Sequence, residues 1–119
     1  MAGTVTVSEQ THRSVQRIKW SWTSTAGGAA DKATTEAYSG DVLMLATDPG
    51  STAAPTDNYD ITITDGNGLD VLAGAGANRD TANTEYVLAA SLGACDGVLT
   101  LNVTNSGSAK QGDVYLYIR

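Results

Sequence analysis

The 119-residue chain contains no phenylalanine and has few of the residue types that form disulfides or metal centres. It has one cysteine, one histidine and two prolines, and its aromatic side chains are two tryptophans and five tyrosines. A single cysteine excludes an intrachain disulfide, so the fold does not depend on oxidising conditions. Aliphatic side chains therefore have to supply most of the hydrophobic core.

Basic residues are also scarce, and they are unevenly placed. The formal net charge is −6, and no lysine or arginine occurs between Lys32 and Arg79. Seven acidic residues fall inside that window. A surface of this kind repels phosphate backbones, so we expect no nucleic acid among the partners.

Long hydrophobic runs are missing. No segment approaches the roughly 20 apolar residues that cross a bilayer as a helix, so we expect no membrane association. The first ten residues lack the basic and apolar regions of a secretory signal. The sequence therefore predicts synthesis in the cytoplasm.

Residues that could form a metal or catalytic centre are few. A structural zinc site takes four cysteine and histidine ligands, and the chain offers only His12 and Cys95. Residues 65–72, DGNGLDVL, match most of a calcium-binding repeat, but one copy cannot supply the 6–8 oxygen ligands that calcium takes. The acidic residues are numerous enough for a carboxylate pair, yet nearly all fall in predicted turns or at exposed alternating positions. We therefore predict no enzyme activity, no metal and no cofactor.

Alternation of apolar and polar residues dominates what is present, and it predicts β-strands. Turn signals separate short strands every 8–12 residues, which is typical of sandwiches and barrels. The sequence predicts an all-β, single-domain antiparallel β-sandwich or barrel, jelly-roll-like, with about seven or eight short strands. The domain spans residues 1–119, with residues 1–12 a possible N-terminal arm. The predicted strands with the clearest alternation are residues 4–8, 14–25, 59–64, 69–73, 99–104 and 114–119. Residues 65–68 are predicted to form a hairpin turn. Ile18, Trp20 and Trp22 share one face of their strand, which we expect to face the core.

Three segments are less regular. Residues 34–38 suggest a polar edge strand, which a turn at residues 39–41 separates from the apolar run at 42–46. That run suggests a strand that is buried on both faces or is covered by a neighbouring subunit. Residues 85–92 fit a short helix or a strand, and we favour a strand.

Several segments are candidates for contact with another protein. The loop at residues 74–80 combines glycine and alanine with polar side chains at its end, and the last strand turns two tyrosines outward. Tyrosine and arginine are enriched at interfaces, although ordinary cross-strand pairing on a solvent face explains such tyrosines equally well. The candidate interface residues are Val5, Val7, Val42, Met44, Asn78, Arg79, Asp80, Tyr115, Tyr117 and Arg119.

A set of strings spread in order along nearly the whole chain resembles a family of small virion proteins of tailed bacteriophages. The strings are residues 17–23, 38–43, 55–65, 68–72, 76–80, 97–103 and 114–119. The resemblance implies a virion structural protein, most concretely a capsid decoration (cement) protein that binds the major capsid protein on the outer surface of the head and stabilises contacts between capsomers. It implies no catalytic residues.

Decoration proteins commonly sit on symmetry axes as closed oligomers, so we expect a homo-oligomer, with a trimer preferred. Two alternatives remain open. Outward tyrosines such as Tyr115 and Tyr117 would also suit sugar stacking in a receptor- or glycan-binding knob. A tail or head-tail connector component would form rings instead.

Overall fold

The protein is described by a computed structural model, which covers residues 3–12, 14–88 and 92–119. These residues contain seven strands and no helix, and every strand pairing is antiparallel. None of the described residues forms a helix that could cross a bilayer. The prediction of an all-β antiparallel fold is confirmed. The strands are β1 (Thr4–His12), β2 (Val15–Thr23), β3 (Ala30–Pro49), β4 (Asp60–Thr64), β5 (Glu85–Leu88), β6 (Ala94–Thr104) and β7 (Gln111–Ile118).

The long strand β3 belongs to two sheets. Its first half, residues 30–41, pairs with β6, which also pairs with β4, and these strands form sheet B. Its second half, residues 42–49, lies between β7 and β5, and β7 continues through β2 to β1 to form sheet A. Because β3 runs through both sheets, their inner faces enclose one core.

The core is built from the alternating apolar positions that the sequence indicates. Ile18, Trp20 and Trp22 of β2 are buried, as predicted. Alternate positions of β4, β6 and β7 are buried with them, and each large aliphatic side chain removed from water contributes about 1.5–3 kcal/mol. The indole nitrogen of Trp20 donates to the Lys32 carbonyl at 3.1 Å. The buried positions of those three strands are Ile61, Ile63, Leu99, Leu101, Val103, Val114, Leu116 and Ile118.

Within the segment expected as an N-terminal arm, residues 4–12 form strand β1. Each of its residues pairs with β2, from Thr4 opposite Thr23 to His12 opposite Val15. Val5 is partly buried against the core rather than free to reach a partner. Alternation along β1 places polar residues outward and the two valines inward.

The Glu9 carboxylate ties β1 to β3. Its oxygens accept hydrogen bonds from the Thr35 amide at 3.0 Å and hydroxyl at 2.7 Å, from the Glu36 amide at 3.1 Å and from the Tyr38 hydroxyl at 2.8 Å. Burial alone would raise the pKa of this carboxyl, but the hydrogen bonds outweigh burial and lower it. Burial, with the bond to Glu9, raises the pKa of the Tyr38 hydroxyl.

The turn predicted at residues 39–41 is wrong, because β3 runs through it. Neighbouring strands hold this backbone from both sides. Gly40 pairs with Cys95 of β6, and the Asp41 amide donates to the Arg119 carbonyl at 3.0 Å. A β-carbon on Gly40 would lie 2.3 Å from that carbonyl oxygen, so glycine is required here for close approach. Bulges between Ala33 and Ala37 and between Val42 and Met44 bend the strand instead.

The second strand predicted at residues 69–73 is also wrong. Residues 65–68 do form the predicted turn, but the chain then makes further turns alongside β4. Leu69 is 65 % exposed, while the adjacent Val71 and Leu72 are both buried, so the alternation fails. The Asp70 carboxylate accepts from the amides of Ile63, Leu72 and Gly74 at 3.0–3.2 Å. The Asp70 carboxylate thus takes the place of the carbonyl groups that a neighbouring strand would offer to these amides, so the segment does not need a strand partner.

The prediction of a strand in residues 85–92 holds for β5, and residues 89–91 lie outside the described residues.

Candidate protein-binding face

The outer face of sheet A carries a group of apolar and aromatic side chains from three adjacent strands. The register places Met44 of β3 between Leu88 of β5 and Tyr117 of β7. Two residues further along β3, Ala46 lies between Tyr86 of β5 and Tyr115 of β7. We define the tyrosine face as Met44, Ala46, Tyr86, Leu88, Tyr115 and Tyr117.

The two β5 residues are the most exposed part of the tyrosine face. Tyr86 is 64 % and Leu88 is 66 % exposed, whereas Met44, Tyr115 and Tyr117 are half-buried. Large apolar side chains that form a contiguous exposed group mark protein or ligand contacts more often than scattered ones do. β5 is only four residues long and pairs only with β3 among the described strands, so this group extends to the edge of sheet A.

Charged residues border the tyrosine face on β2. Lys19 pairs in register with Tyr115, and its ammonium lies 5.4 Å from the centre of that ring. Arg17 pairs with Tyr117 and donates to the Ser8 hydroxyl at 3.3 Å. A polar border around an apolar centre is the usual composition of a protein interface.

At the other end, the tyrosine face meets two carboxylates. Asp48 of β3 pairs with Asp113 of β7, and this pair is next to the pair of Ala46 and Tyr115 on the same face. Asp48 accepts a hydrogen bond from the Thr84 hydroxyl at 3.0 Å. A shallow groove runs between Asp48, Thr84 and the tyrosines.

The loop at residues 74–80 is held by polar contacts with the segments on either side of it. The Asn78 amide donates to Asp60 at 3.0 Å. The Arg79 amide donates to the Tyr59 carbonyl at 2.7 Å, and the Arg79 carbonyl accepts from the Asn58 amide at 2.9 Å. The Arg79 guanidinium lies 3.7 Å from the Glu85 carboxylate. Asp80 accepts from the Ala82 amide at 2.8 Å and from the Asn83 side chain at 3.0 Å, which lower the pKa of its carboxyl. These bonds give the loop a defined shape, with the Asn78 side chain exposed.

The structure brings only some of the candidate interface residues together on one surface. Met44, Tyr115 and Tyr117 are neighbours on one face, whereas Asn78, Arg79 and Asp80 lie in a separate loop. Val42 is 1 % exposed and Val7 is packed against the core, so neither side chain is presented to a partner. Arg119 is exposed beyond the end of β7.

Sequence reasoning missed Tyr86 and Leu88. They alternate with Glu85 and Val87, which is a strand signal, but nothing in the sequence shows that β5 pairs with β3. Only that pairing places them beside Met44 and Ala46.

The described residues contain no group of three histidine, cysteine, aspartate or glutamate side chains placed to hold a metal ion. Cys95 is buried, and burial together with the nearby Asp65 and Asp96 raises the pKa of its thiol.

Comparisons of the chain with protein-family models, with curated proteins and with solved structures gave no match.

Proposed function

We propose that this protein is a structural component of a tailed-bacteriophage virion, and that it decorates the outer surface of the head by binding the major capsid protein. The phage setting comes from the resemblance carried by strings along nearly the whole sequence. The observation that supports a binding role is the tyrosine face, a contiguous aromatic and apolar surface with cations at its border.

The physical argument is that a decoration protein acts by binding energy alone. Tyr115 and Tyr117 lie on a central strand of sheet A, so their backbone is fixed before binding and little conformational entropy is lost. Each copy needs only a modest contact, because many copies act together across the particle. A stiff antiparallel fold with aromatic side chains on one face fits this role.

Binding to capsid shells that lack the protein tests the proposal. We expect saturable binding of the purified protein and a higher temperature of shell dissociation. Replacing both Tyr115 and Tyr117 with alanine should weaken shell binding by tenfold or more, about 1.4 kcal/mol, because central aromatic residues dominate interface energetics.

Asn67→Ala in the exposed turn at residues 65–68 is the matched control, and its shell binding should equal that of the wild type. A folded wild-type protein that does not bind shells contradicts the proposal. Retention on immobilised glycans without shell binding would support a receptor-binding knob instead.

A further inference from the structure

The outer face of sheet B differs from the tyrosine face in charge. Asp31 of β3 lies in register with Asn102 and Thr62, and Asp60 lies opposite Thr104. Asp96 of β6 pairs with Ser39. Asp41, in register with Ala94, lies at the edge of this surface, where its backbone pairs with that of Arg119. We define the acidic face by the three carboxylates away from that edge, Asp31, Asp60 and Asp96.

The acidic face also has a small apolar centre. Val98 is 39 % exposed and pairs with Ala37, which is exposed as well. Ala33 is exposed opposite Thr100. These short side chains leave room for larger ones from another molecule.

The cations of the tyrosine face are not neutralised within the chain. The ion pair that the described residues form is Arg79 with Glu85, and neither Arg17 nor Lys19 has a carboxylate partner. Two carboxylates lie on the same face, Asp48 and Asp113, and Asp113 is two residues along β7 from the Tyr115 that pairs with Lys19. Lys19 and Arg17 therefore present positive charge beside an apolar group, on a protein whose net charge is −6.

We propose that the tyrosine face of one copy binds the acidic face of a second copy of this chain. The inference rests on the proposal that the tyrosine face binds protein, and it names that protein as a second copy. In a closed ring each tyrosine face is covered by a neighbouring copy, and the ring binds the shell through the surfaces that remain, with many copies acting together. Tyr115 and Tyr117 would cover the apolar centre at Val98, while Arg17 and Lys19 meet the aspartates. Two copies of an acidic protein repel one another in most orientations. Opposite charge on these two faces favours the orientation in which the tyrosine face of one copy meets the acidic face of the other.

The contact is heterologous, because each copy contributes a different surface. A pair of copies then keeps two free faces, the acidic face of the copy that contributed its tyrosine face and the tyrosine face of the other. Repetition of such a contact closes into a ring when the rotation permits, and the homotrimer expected from the sequence is one such ring.

Charge reversal on each face gives the test. One variant carries Arg17→Glu and Lys19→Glu, and the other carries Asp31→Lys and Asp96→Lys. All four side chains lie on outer sheet faces, so we expect both variants to fold, which circular dichroism and thermal unfolding check. Sedimentation equilibrium then measures the mass of each protein alone and of the mixture, at low and high salt.

We expect the wild type to associate, and to do so more weakly in high salt. Each variant alone should associate at least about tenfold more weakly, because both of its faces then carry charge of one sign. The mixture should regain association, because each reversed face meets a face of opposite charge. Lys32→Glu, a reversal at an exposed position outside both faces, should associate as the wild type does.

Three results would overturn the inference: a wild type with single-chain mass at about 1 mM, variants that associate as the wild type does, or a mixture that stays as single chains. Shell binding by the wild type separates this inference from the proposed function. If the wild type binds shells but never self-associates, the inference fails and the proposed function stands.

Discussion

At the scale of single residues, Glu9 links two strands that are not neighbours in either sheet. Its carboxylate supplies acceptors to two backbone amides of β3 at the bulge that follows Ala33. A bulge leaves backbone donors without a strand partner, and such donors cost free energy when they are unpaired. Glu9 therefore acts in place of a missing strand pairing.

We predict that Glu9→Gln lowers the free energy of unfolding by about 1–3 kcal/mol at pH 7, because an amide has one acceptor oxygen in place of two charged ones. The hydrogen bonds lower the pKa of Glu9 from its usual value of 4.5. The stabilisation is therefore complete above that value and is lost as pH falls through the lower pKa of the folded state.

Chemical unfolding of wild type and variant between pH 3 and pH 7 measures this effect. The difference between them should shrink at the acid end. Glu36→Gln is the control, with an expected change within about 0.5 kcal/mol. Equal stability of the Glu9 variant and the wild type at pH 7 would show that the carboxylate does not hold β1 to β3.

The direction of a side chain can be predicted from the sequence where neighbouring residues determine it. Alternation alone places Tyr115 and Tyr117 outward and Val114 and Leu116 inward. It cannot find Glu9, because the groups that bind its carboxylate lie 26 to 29 residues further along the chain.

At the scale of elements, the segment after β4 shows how side chains can replace a predicted strand. Residues 69–79 lie against β4 through isolated backbone bonds, including the Ile61 amide to the Gly76 carbonyl at 2.8 Å. Gly76 is buried, and a β-carbon there would lie 2.2 Å from the Ile61 carbonyl oxygen and 2.8 Å from Leu72 Cδ1. The segment approaches β4 this closely only because residue 76 has no side chain.

We predict that Gly76→Ala destabilises the fold by about 2–3 kcal/mol, since the new methyl group overlaps a backbone oxygen. Gly74→Ala is the matched comparison. Gly74 has φ +82° and open space around it, so the substitution adds only conformational strain of about 1 kcal/mol. Urea unfolding measures both, and equal losses would mean that residues 69–79 do not pack tightly on β4.

The turn at residues 65–68 could be predicted, because Asp-Gly-Asn-Gly tolerates turn conformations through its own residues. The turns after it could not, because residues 69–73 alternate like a strand and only tertiary contacts decide otherwise. The same limit applies to β3, where Ser39-Gly40-Asp41 has turn composition but strands on both sides keep it extended.

At the scale of the whole molecule, the fold class followed from composition and alternation, but the pairing of strands did not. Strands β3 and β6, or β2 and β7, are far apart in the sequence, and non-local pairing is not encoded in any single segment. Pairing decides which outward residues become neighbours. It gathers Met44, Tyr86 and Tyr117 on one surface, and it separates the cations of β2 from the aspartates of sheet B.

A cryo-EM map of the intact virion tests the central claim most directly, because it locates the chain in the particle. We predict that the seven-stranded fold fits density on the outer surface of the head, at boundaries between capsomers, with the tyrosine face against protein. Density for the fold only in the tail, connector or fibres, or a tyrosine face open to solvent, would contradict it.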